Sequence, residues 1–357
     1  MLQLGWKAGT EQYAPVELLE YAIEAEQAGF DSISVSDHFH PWSESGEACF
    51  AWTWLGAAAA STSRIALGTG VTCPILRYHP ALVAQAAATV ACLAPKRGCF
   101  LGVGTGEALN EYSATAQWPS YKKRQAQTAE AIELIRALWT GDKITHRGTY
   151  YQTRQAKLYT RTRDPIPIYV STMTPNSARF AGEYGDGLVT VGGEESETYR
   201  NILQNFETGA RAAGKDPTRM PRMIEIGVAY TDDQEKAIEY RKKYWAATFV
   251  PALFTERIYS PKMAEENGKA VGSEIIKEAL CISADSRDYI ELAERYIDLG
   301  FDHLIFHSAG PDQRAFLEKY GREVLPQLRR AREFKSDEAP ALERSRPDQS
   351  FIDEHNP

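Results

Sequence analysis

The chain has 357 residues, with 40 Lys and Arg against 48 Asp and Glu, and its formal net charge is −8. Hydrophobic residues make up 43% and charged residues 25% of the sequence, which is typical of a globular protein in water. An acidic chain repels phosphate groups at long range, so nucleic-acid binding and binding to anionic membranes are not expected. The length suits one large barrel as well as two medium domains.

Nothing in the sequence predicts export or membrane insertion. Residues 1–5 lack the basic stretch and apolar core of a signal peptide, and no apolar run reaches the ~20 residues that a membrane helix needs. The five cysteines are scattered and form no CxxC pair: Cys49, Cys73, Cys92, Cys99 and Cys281. This pattern is typical of reduced cytosolic thiols. We therefore expect a cytoplasmic protein without a metal site.

In the first part of the chain, short β-branched runs alternate with amphipathic segments of helical length. We predict strands at 2–6, 32–35, 65–71 and 99–103, and helices at 15–29, 52–62, 80–93 and 121–140. Pro15 at the start and Gly29 at the end support the first helix. Residues 143–160 carry Thr, Tyr and a central Arg-Gly pair, and they are predicted to form a hairpin insertion.

The alternation resumes in the second part of the chain. We predict strands at 166–170, 187–191, 223–229 and 303–307, and helices at 176–184, 195–213, 234–246, 287–299 and 314–334. Residues 247–272 have no clear period and are expected to be a second insertion. Eight strand–helix units favour an α/β fold of the (β/α)₈ TIM-barrel type over an open doubly wound sheet. We expect one domain over 1–335 and a poorly ordered polar tail over 336–357.

The unusual residues fall at the carboxyl ends of the predicted strands, where barrels of this kind carry their chemistry. Titratable groups, hydroxyl groups and glycines follow the second to sixth strands, in residues 36–42, 70–74, 102–110, 171–175 and 191–193. Glycine allows a ligand to approach the backbone closely. The sequence therefore predicts a site at one end of the barrel.

The roles of individual residues stay open on this evidence. Histidine titrates near neutral pH, so His38 is a candidate general base, and a strand-end histidine bonded to backbone is the alternative. Asp37 and His38 would also suit a metal, but no further ligand stands at suitable spacing. Trp42 is the best candidate for an aromatic pocket residue.

The glycine-rich segment 102–106 lacks the Lys-Ser/Thr of a phosphate loop. We expect a planar ring to lie against it with Glu107 at the ring edge, although a glutamate there could simply be a helix-start charge. The hydroxyl groups of residues 171–174 precede a helix. They form either an anion site or an ordinary N-cap.

Three segments taken together carry a resemblance to a known family: SDHFHPW at 36–42, RYHP at 77–80 and GVGTGEALNE at 102–111. They resemble the coenzyme F420-dependent dehydrogenases of the luciferase-like superfamily, which include glucose-6-phosphate dehydrogenases and secondary alcohol dehydrogenases. The resemblance extends over residues 2–328. It implies a (β/α)₈ barrel with insertions, a homodimer, the deazaflavin F420 as cofactor and a small-molecule substrate.

The resemblance also implies roles for the residues that match the family's motifs. His38 would take the proton of the substrate hydroxyl, Trp42 would pack on that oxygen, and Glu107 would supply a proton near the deazaflavin. Glu11 matches an acidic residue near the site, and Asp37 would orient the ring. A non-prolyl cis peptide is implied at Gly70–Val71. The further residues expected around the cofactor are Cys73, Gly106, Asn110, Ser171, Thr172, Thr174, Val191 and Gly192.

The sugar-phosphate enzymes of this family hold the phosphate with two lysines and an arginine. At the corresponding positions this chain has Glu194, a residue at or near Thr255, and Glu278. Carboxylates repel a phosphate. We therefore expect an uncharged alcohol or sugar, with glucose 6-phosphate, or an FMN-dependent monooxygenase activity, as alternatives. The pocket is expected to contain Cys73, Gly227, Trp245 and Phe254. It is also expected to be enlarged at Gly227 or Val228, because the strand 224–228 lacks the tryptophan of the alcohol branch.

Overall fold

The structure is a computed structural model, and it describes residues 2–310 and 312–330. The predicted tail at 336–357 lies outside this part of the chain, and so does the side chain of Thr255. None of the helices within the described residues combines the length and the hydropathy that crossing a membrane requires.

Eight parallel strands form a closed barrel, which confirms the predicted fold class. They are β1 Gln3–Ala8, β2 Ser32–Val35, β3 Ala66–Thr72, β4 Cys99–Val103, β5 Ile168–Ser171, β6 Gly187–Val191, β7 Arg222–Tyr230 and, after one extra strand, β9 His303–Ser308. Successive strands pair in chain order, and β9 pairs with both β7 and β1 to close the ring. The extra strand, β8 Cys281–Ser283, pairs with the projecting end of β7.

Helices cover the outside of the barrel and its carboxyl end. They are α1 Pro15–Ala28, α2 Ala51–Ser61, α3 Pro80–Leu93, α4 Ala108–Thr115, α5 Tyr121–Trp139, α6 Pro175–Tyr184, α7 Ser196–Ala212, α8 Gln234–Trp245, α9 Ala252–Thr255, α10 Pro261–Gly268, α11 Ser273–Ala279, α12 Ser286–Leu299 and α13 Gln313–Lys319. Shorter turns lie at Pro217–Arg219 and Ala246–Phe249, and a π-helical turn at Tyr320–Val324 follows α13.

The sequence located the eight strand–helix units, and the bounds of β2, β4, β6 and α3 are those predicted. Helix α4 was missed: it begins directly after the glycine-rich segment and has no capping side chain. The segment 247–272 is not structureless, because it contains α9 and α10. The first insertion has only isolated antiparallel bridges, Ile144 with Ala156 and Arg147 with Gln152.

The lower half of the barrel interior is filled by large side chains. Phe100, Tyr169, Val189, Met223 and Ile305 form one buried cluster. His303 lies among them, fully enclosed, and its Nε2 is 2.7 Å from the Ser32 hydroxyl. Burial lowers the pKa of His303 to about 3, because charging the imidazole here costs solvation energy.

This burial predicts a dependence of stability on pH. Between about pH 6.5 and pH 3 the unfolded chain binds a proton at His303 that the folded chain does not. The contribution of neutral His303 to the free energy of unfolding is therefore fully present above that pH window, and it is lost as the pH falls through the window. In this window the ratio of folded to unfolded protein should fall by up to about tenfold per pH unit from this one group.

The variant His303→Gln keeps a polar group facing Ser32 but does not titrate there. Urea unfolding at roughly pH 4 to pH 7 gives the free energy of unfolding as a function of pH. For the variant, its slope should correspond to one proton fewer taken up on unfolding than in the unsubstituted protein. Equal slopes for the two proteins would show that His303 is not the group responsible.

Candidate active site

An ion-paired cluster forms the floor of the site, at the upper end of the barrel interior. The Lys7 ammonium on β1 lies 2.7 Å from Glu225 Oε2 on β7 and donates to the Gly70 carbonyl at 2.5 Å. His307 on β9 bonds the other Glu225 oxygen, with 3.0 Å between Nδ1 and Oε1. Burial alone would raise the pKa of Glu225, but the Lys7 charge and the His307 hydrogen bond outweigh it and lower this pKa.

His38 lies above this floor, in the loop after β2. Its Nε2 is 3.4 Å from Glu11 Oε1 and 3.8 Å from Glu107 Oε2. Its Nδ1 is 3.2 Å from the His40 carbonyl. Because a carbonyl can only accept, Nδ1 carries a proton, and Nε2 is the nitrogen that faces the two carboxylates. The Trp42 ring packs edge-on against His38, with centroids 4.8 Å apart.

Glu107 stands at the start of α4, and a neighbouring amide holds it in place. Asn110 Nδ2 donates to Glu107 Oε2 at 3.3 Å. The Asn110 carbonyl oxygen accepts from the backbone N–H groups of Phe39 and His40, so one amide joins the loops after β2 and β4. Burial raises the pKa of Glu107, and Glu11 raises it further, whereas His38 lowers it. A glutamate in this environment can hold a proton that an exposed one would lose.

Asp37 and Glu111 are both buried, and Arg77 in the loop after β3 lies between them. Arg77 Nη2 is 3.4 Å from Asp37 Oδ1, and Arg77 Nε is 3.4 Å from Glu111 Oε1. The Asp37 oxygens also accept from Thr72 Oγ1 at 2.8 Å and Tyr78 OH at 2.9 Å. Asp37 thus anchors its loop within the chain, and its predicted contact with a cofactor stays a prediction.

A glycine-rich wall lies at the ends of β3 and β4, next to Glu107. The Gly70–Val71 peptide is cis, as the family resemblance implied, and the register of β3 on β4 shifts between Thr69 and Thr72. A Cβ at Gly104 would lie 2.9 Å from Val71 Cγ2 and 3.7 Å from Ser171 Cβ. The structure therefore brings these predicted cofactor residues to one wall.

Gly106 and Cys73 continue this wall. Gly106 has φ +79°, and a Cβ there would lie 2.6 Å from Cys73 Sγ, so glycine is required both by conformation and by space. Burial raises the pKa of the Cys73 thiol well above its ordinary value. Since the thiolate is the nucleophilic form, Cys73 is a small wall residue rather than a nucleophile.

The hydroxyl groups after β5 bond to one another. Thr174 and Ser177 form a reciprocal cap at the start of α6, and Thr172 Oγ1 lies 2.8 Å from Ser177 Oγ. The structure therefore shows the N-cap, and the anion site stays a prediction. Val191, the last residue of β6, is exposed, and the Gly192 N–H donates to the Glu225 carbonyl at 2.7 Å.

The second insertion covers the barrel mouth and contributes to an apolar cluster. Trp42, Leu109, Trp245 and Leu253 belong to this cluster, and Phe254 packs on it. Two predicted pocket residues, Trp245 and Phe254, are therefore brought to Trp42.

The enlargement expected at Gly227 or Val228 stays a prediction, and Leu280 limits the space beside Gly227. A Cβ at Gly227 would lie 2.6 Å from Leu280 Cδ2, so Leu280 fills the space that a larger side chain at position 227 would take.

Several residues near the site were not assigned a role from the sequence. Glu225 is a charged residue within a predicted strand, which is a signal for a paired interior charge. Lys7 directly follows the predicted first strand, and His307, the other partner of Glu225, is the last residue of the predicted strand 303–307. Among the described residues, no group of three His, Cys, Asp or Glu side chains is arranged to hold a metal ion.

A family model for luciferase-like monooxygenases matches residues 3–306. The chain belongs to the luciferase-like family. An F420-dependent glucose-6-phosphate dehydrogenase of Beutenbergia cavernae is 44% identical over 331 residues, which is 92% of this chain and 98% of that protein. The protein of the same name from Mycolicibacterium gilvum is 41% identical over 333 residues, again 92% and 98%. The predicted resemblance to this group is confirmed.

Solved structures agree with this assignment. An F420-dependent secondary alcohol dehydrogenase, in complex with an F420-acetone adduct, superimposes with a TM-score of 0.88 and is 39% identical, covering 92% of this chain and 99% of that one. The coenzyme F420-dependent tetrahydromethanopterin reductase of Methanopyrus kandleri has a TM-score of 0.74 and 22% identity over 92% of this chain and 99% of its own. At that identity the likeness shows the fold alone.

The arrangement around Arg77 leads to a test of stability. Arg77→Gln leaves Asp37 and Glu111 buried without their cation, and it should lower the free energy of unfolding by roughly 3–5 kcal/mol. Arg136→Gln is the matched control, because Arg136 and Asp186 form a half-exposed pair at 2.9 Å that should contribute about 1 kcal/mol or less. Urea unfolding of both variants makes the comparison, and equal losses would contradict the role given to Arg77.

Proposed function

We propose that this protein is an F420-dependent oxidoreductase that acts on the CH–OH group of an alcohol or sugar. The similarity to F420-dependent dehydrogenases over 92% of the chain supports the cofactor and the reaction class. The observation that carries the proposal is the convergence of His38, Glu11 and Glu107 at the glycine-rich wall.

The residues at this wall fit a flat ring. Gly104 and Gly106 are positions where a side chain would collide with Val71 or Cys73, so the backbone itself forms the surface. Trp42 Nε1 is buried, and the described residues offer it no hydrogen-bond acceptor. Such a donor needs an acceptor, and the oxygen of a substrate would supply one. Gly70, Val71, Ser171 and Asn110 complete the expected contacts with the cofactor.

F420 supplies a hydride acceptor when it is bound. His38 Nε2 takes the proton of the substrate hydroxyl as the C–H bond breaks, and the Glu11 carboxylate stabilises the imidazolium that forms. Trp42 Nε1 donates to the same substrate oxygen and orients it. Glu107 carries a proton at the edge of the ring pocket, since burial raises its pKa.

The charge at the outer rim bears on the substrate. Glu194 and Glu278 are exposed, and they lie near each other because Gly193 lies against Ala279 at the end of α11. Two carboxylates here disfavour a phosphate at this rim, so the substrate presents an uncharged end to it. This supports the alcohol reaction over the oxidation of glucose 6-phosphate.

The homodimer and the cytoplasmic location stay predictions.

His38→Ala should leave F420 affinity within a few-fold and lower kcat by roughly 10²–10⁴-fold, because only the proton acceptor is removed. His79→Ala is the control: His79 caps α3 through the Ala81 N–H and has no place in the reaction. Fluorescence titration gives F420 affinity, and loss of the F420 absorbance gives the rate. A fully active His38→Ala would contradict the role of His38.

The same titration with FMN tests the monooxygenase alternative. We expect F420 to bind at least about tenfold more tightly than FMN, a difference of about 1.4 kcal/mol. Tight FMN binding without F420 reduction by any alcohol or sugar would overturn the proposed function.

The charge at the rim gives a further prediction. The double variant Glu194→Lys with Glu278→Lys should raise kcat/KM for glucose 6-phosphate at least about tenfold relative to free glucose, since like charges are replaced by opposite ones. Glu318→Lys on α13, which is equally exposed, should leave this ratio unchanged. An unaltered ratio in the double variant would show that the substrate does not reach this rim.

A further inference from the structure

Arg241 is a buried cation that the reaction described above does not use. It lies on the inward face of α8, one turn before Trp245, and is only 8% exposed. Its Nε and Nη1 are enclosed, and within residues 2–310 and 312–330 neither atom has a hydrogen-bond partner. A buried guanidinium without acceptors is costly, so its presence requires an explanation.

The surroundings of Arg241 place it at the barrel mouth. The guanidinium carbon lies 5.5 Å from the centre of the Trp245 ring and 5.3 Å from that of Phe249. Trp245 in turn packs edge-on against His307, with ring centroids 4.3 Å apart. The guanidinium is therefore held beside the pocket wall that Trp245 forms.

In the part of the chain that the structure describes, no carboxylate forms a close ion pair with Arg241. Glu225 is the carboxylate that acts on Arg241 electrostatically, but its oxygens are already bonded by Lys7 and His307. Burial lowers the pKa of Arg241 to about 10, which still leaves it charged at neutral pH. Trp245 Nε1 is likewise bonded, to Gln12 Oε1 at 2.9 Å, so the Trp245 ring beside Arg241 is fixed.

We propose that Arg241 binds an oxyanion, a carboxylate or a phosphate, carried by the substrate whose hydroxyl group faces His38. A guanidinium presents paired donors that match two oxygens of such a group. The aromatic rings of Trp245 and Phe249 exclude water and hold the donor plane. This inference rests on the proposed function, and it makes the substrate an anionic hydroxy compound whose charged end lies inside the pocket, away from Glu194 and Glu278.

The test compares matched substrates and matched variants of the full chain. Arg241→Met removes the charge at similar volume, and replacing a buried ion by an apolar residue need not destabilise the fold. Arg241→Lys keeps the charge but loses the paired donors. Lys243→Met, on the exposed face of the same helix, is the control. Each protein is assayed with F420 and two pairs of substrates, each with one anionic and one neutral member. The pairs are 3-hydroxybutyrate with 2-butanol, and glucose 6-phosphate with glucose.

The unsubstituted protein should prefer the anionic member of at least one pair at least about tenfold in kcat/KM. Arg241→Met should remove that preference through KM, with the neutral member changed less than about twofold, and Arg241→Lys should be intermediate. Lys243→Met should match the unsubstituted protein. Equal use of both members, or a preference that survives in Arg241→Met, would overturn the inference and leave the proposed function intact.

A binding measurement separates the two proposals. Thermal unfolding without F420 is followed with 3-hydroxybutyrate, glucose 6-phosphate or inorganic phosphate, and stabilisation by an anion should be lost in Arg241→Met. If no substrate reduces F420, the proposed function fails, and this shift still decides whether Arg241 binds an anion. If Arg241→Met weakens F420 itself and leaves the anion response unchanged, the oxyanion belongs to the cofactor, and the inference for the substrate is wrong.

Discussion

The guanidinium of Arg77 holds the mouth of the barrel together, because it joins the loops that follow β2, β3 and β4. Its two carboxylate partners are buried, and each stands close in sequence to a proposed reacting group: Asp37 directly precedes His38, and Glu111 lies one helical turn after Glu107. The distance between His38 and Glu107 therefore depends on this cation together with the Asn110 amide. Since unpaired buried charges are costly, this arrangement forms as a unit.

Beneath the loops, a second set of charges fixes the floor. Lys7, Glu225 and His307 come from three strands and satisfy one another, and Lys7 also donates to the Gly70 carbonyl of the cis peptide. The site thus has an ion-paired floor, Glu107 at its side and the exposed carboxylates of Glu194 and Glu278 at the rim. Arg241 is not part of these ion pairs. Glu225, the carboxylate that acts on it electrostatically, is already bonded by Lys7 and His307.

Local pattern predicted most of the fold. Periodicity and Pro and Gly signals located the eight units, and β2, β4, β6 and α3 were placed to the residue. Helix α4 was missed because it has no capping side chain, although Ser260-Pro261 before α10 is a start signal that the sequence does contain. Of the motif residues, His38 lies beside Glu107 and Trp42, while their roles stay a proposal. The pairing of Lys7 with Glu225, which are 218 residues apart, is a property of barrel closure that no local pattern carries.

The close fit of Leu280 over Gly227 has a consequence for how such pockets diverge. Position 227 lies in a barrel strand, whereas position 280 directly precedes the extra strand β8, so the same volume can be filled from either side. A large residue at one position then requires a small one at the other. If relatives exchanged the two residues, the volume of the wall would stay the same, but the larger side chain would come from the other position. Replacing only one of them would produce either a steric clash or a cavity.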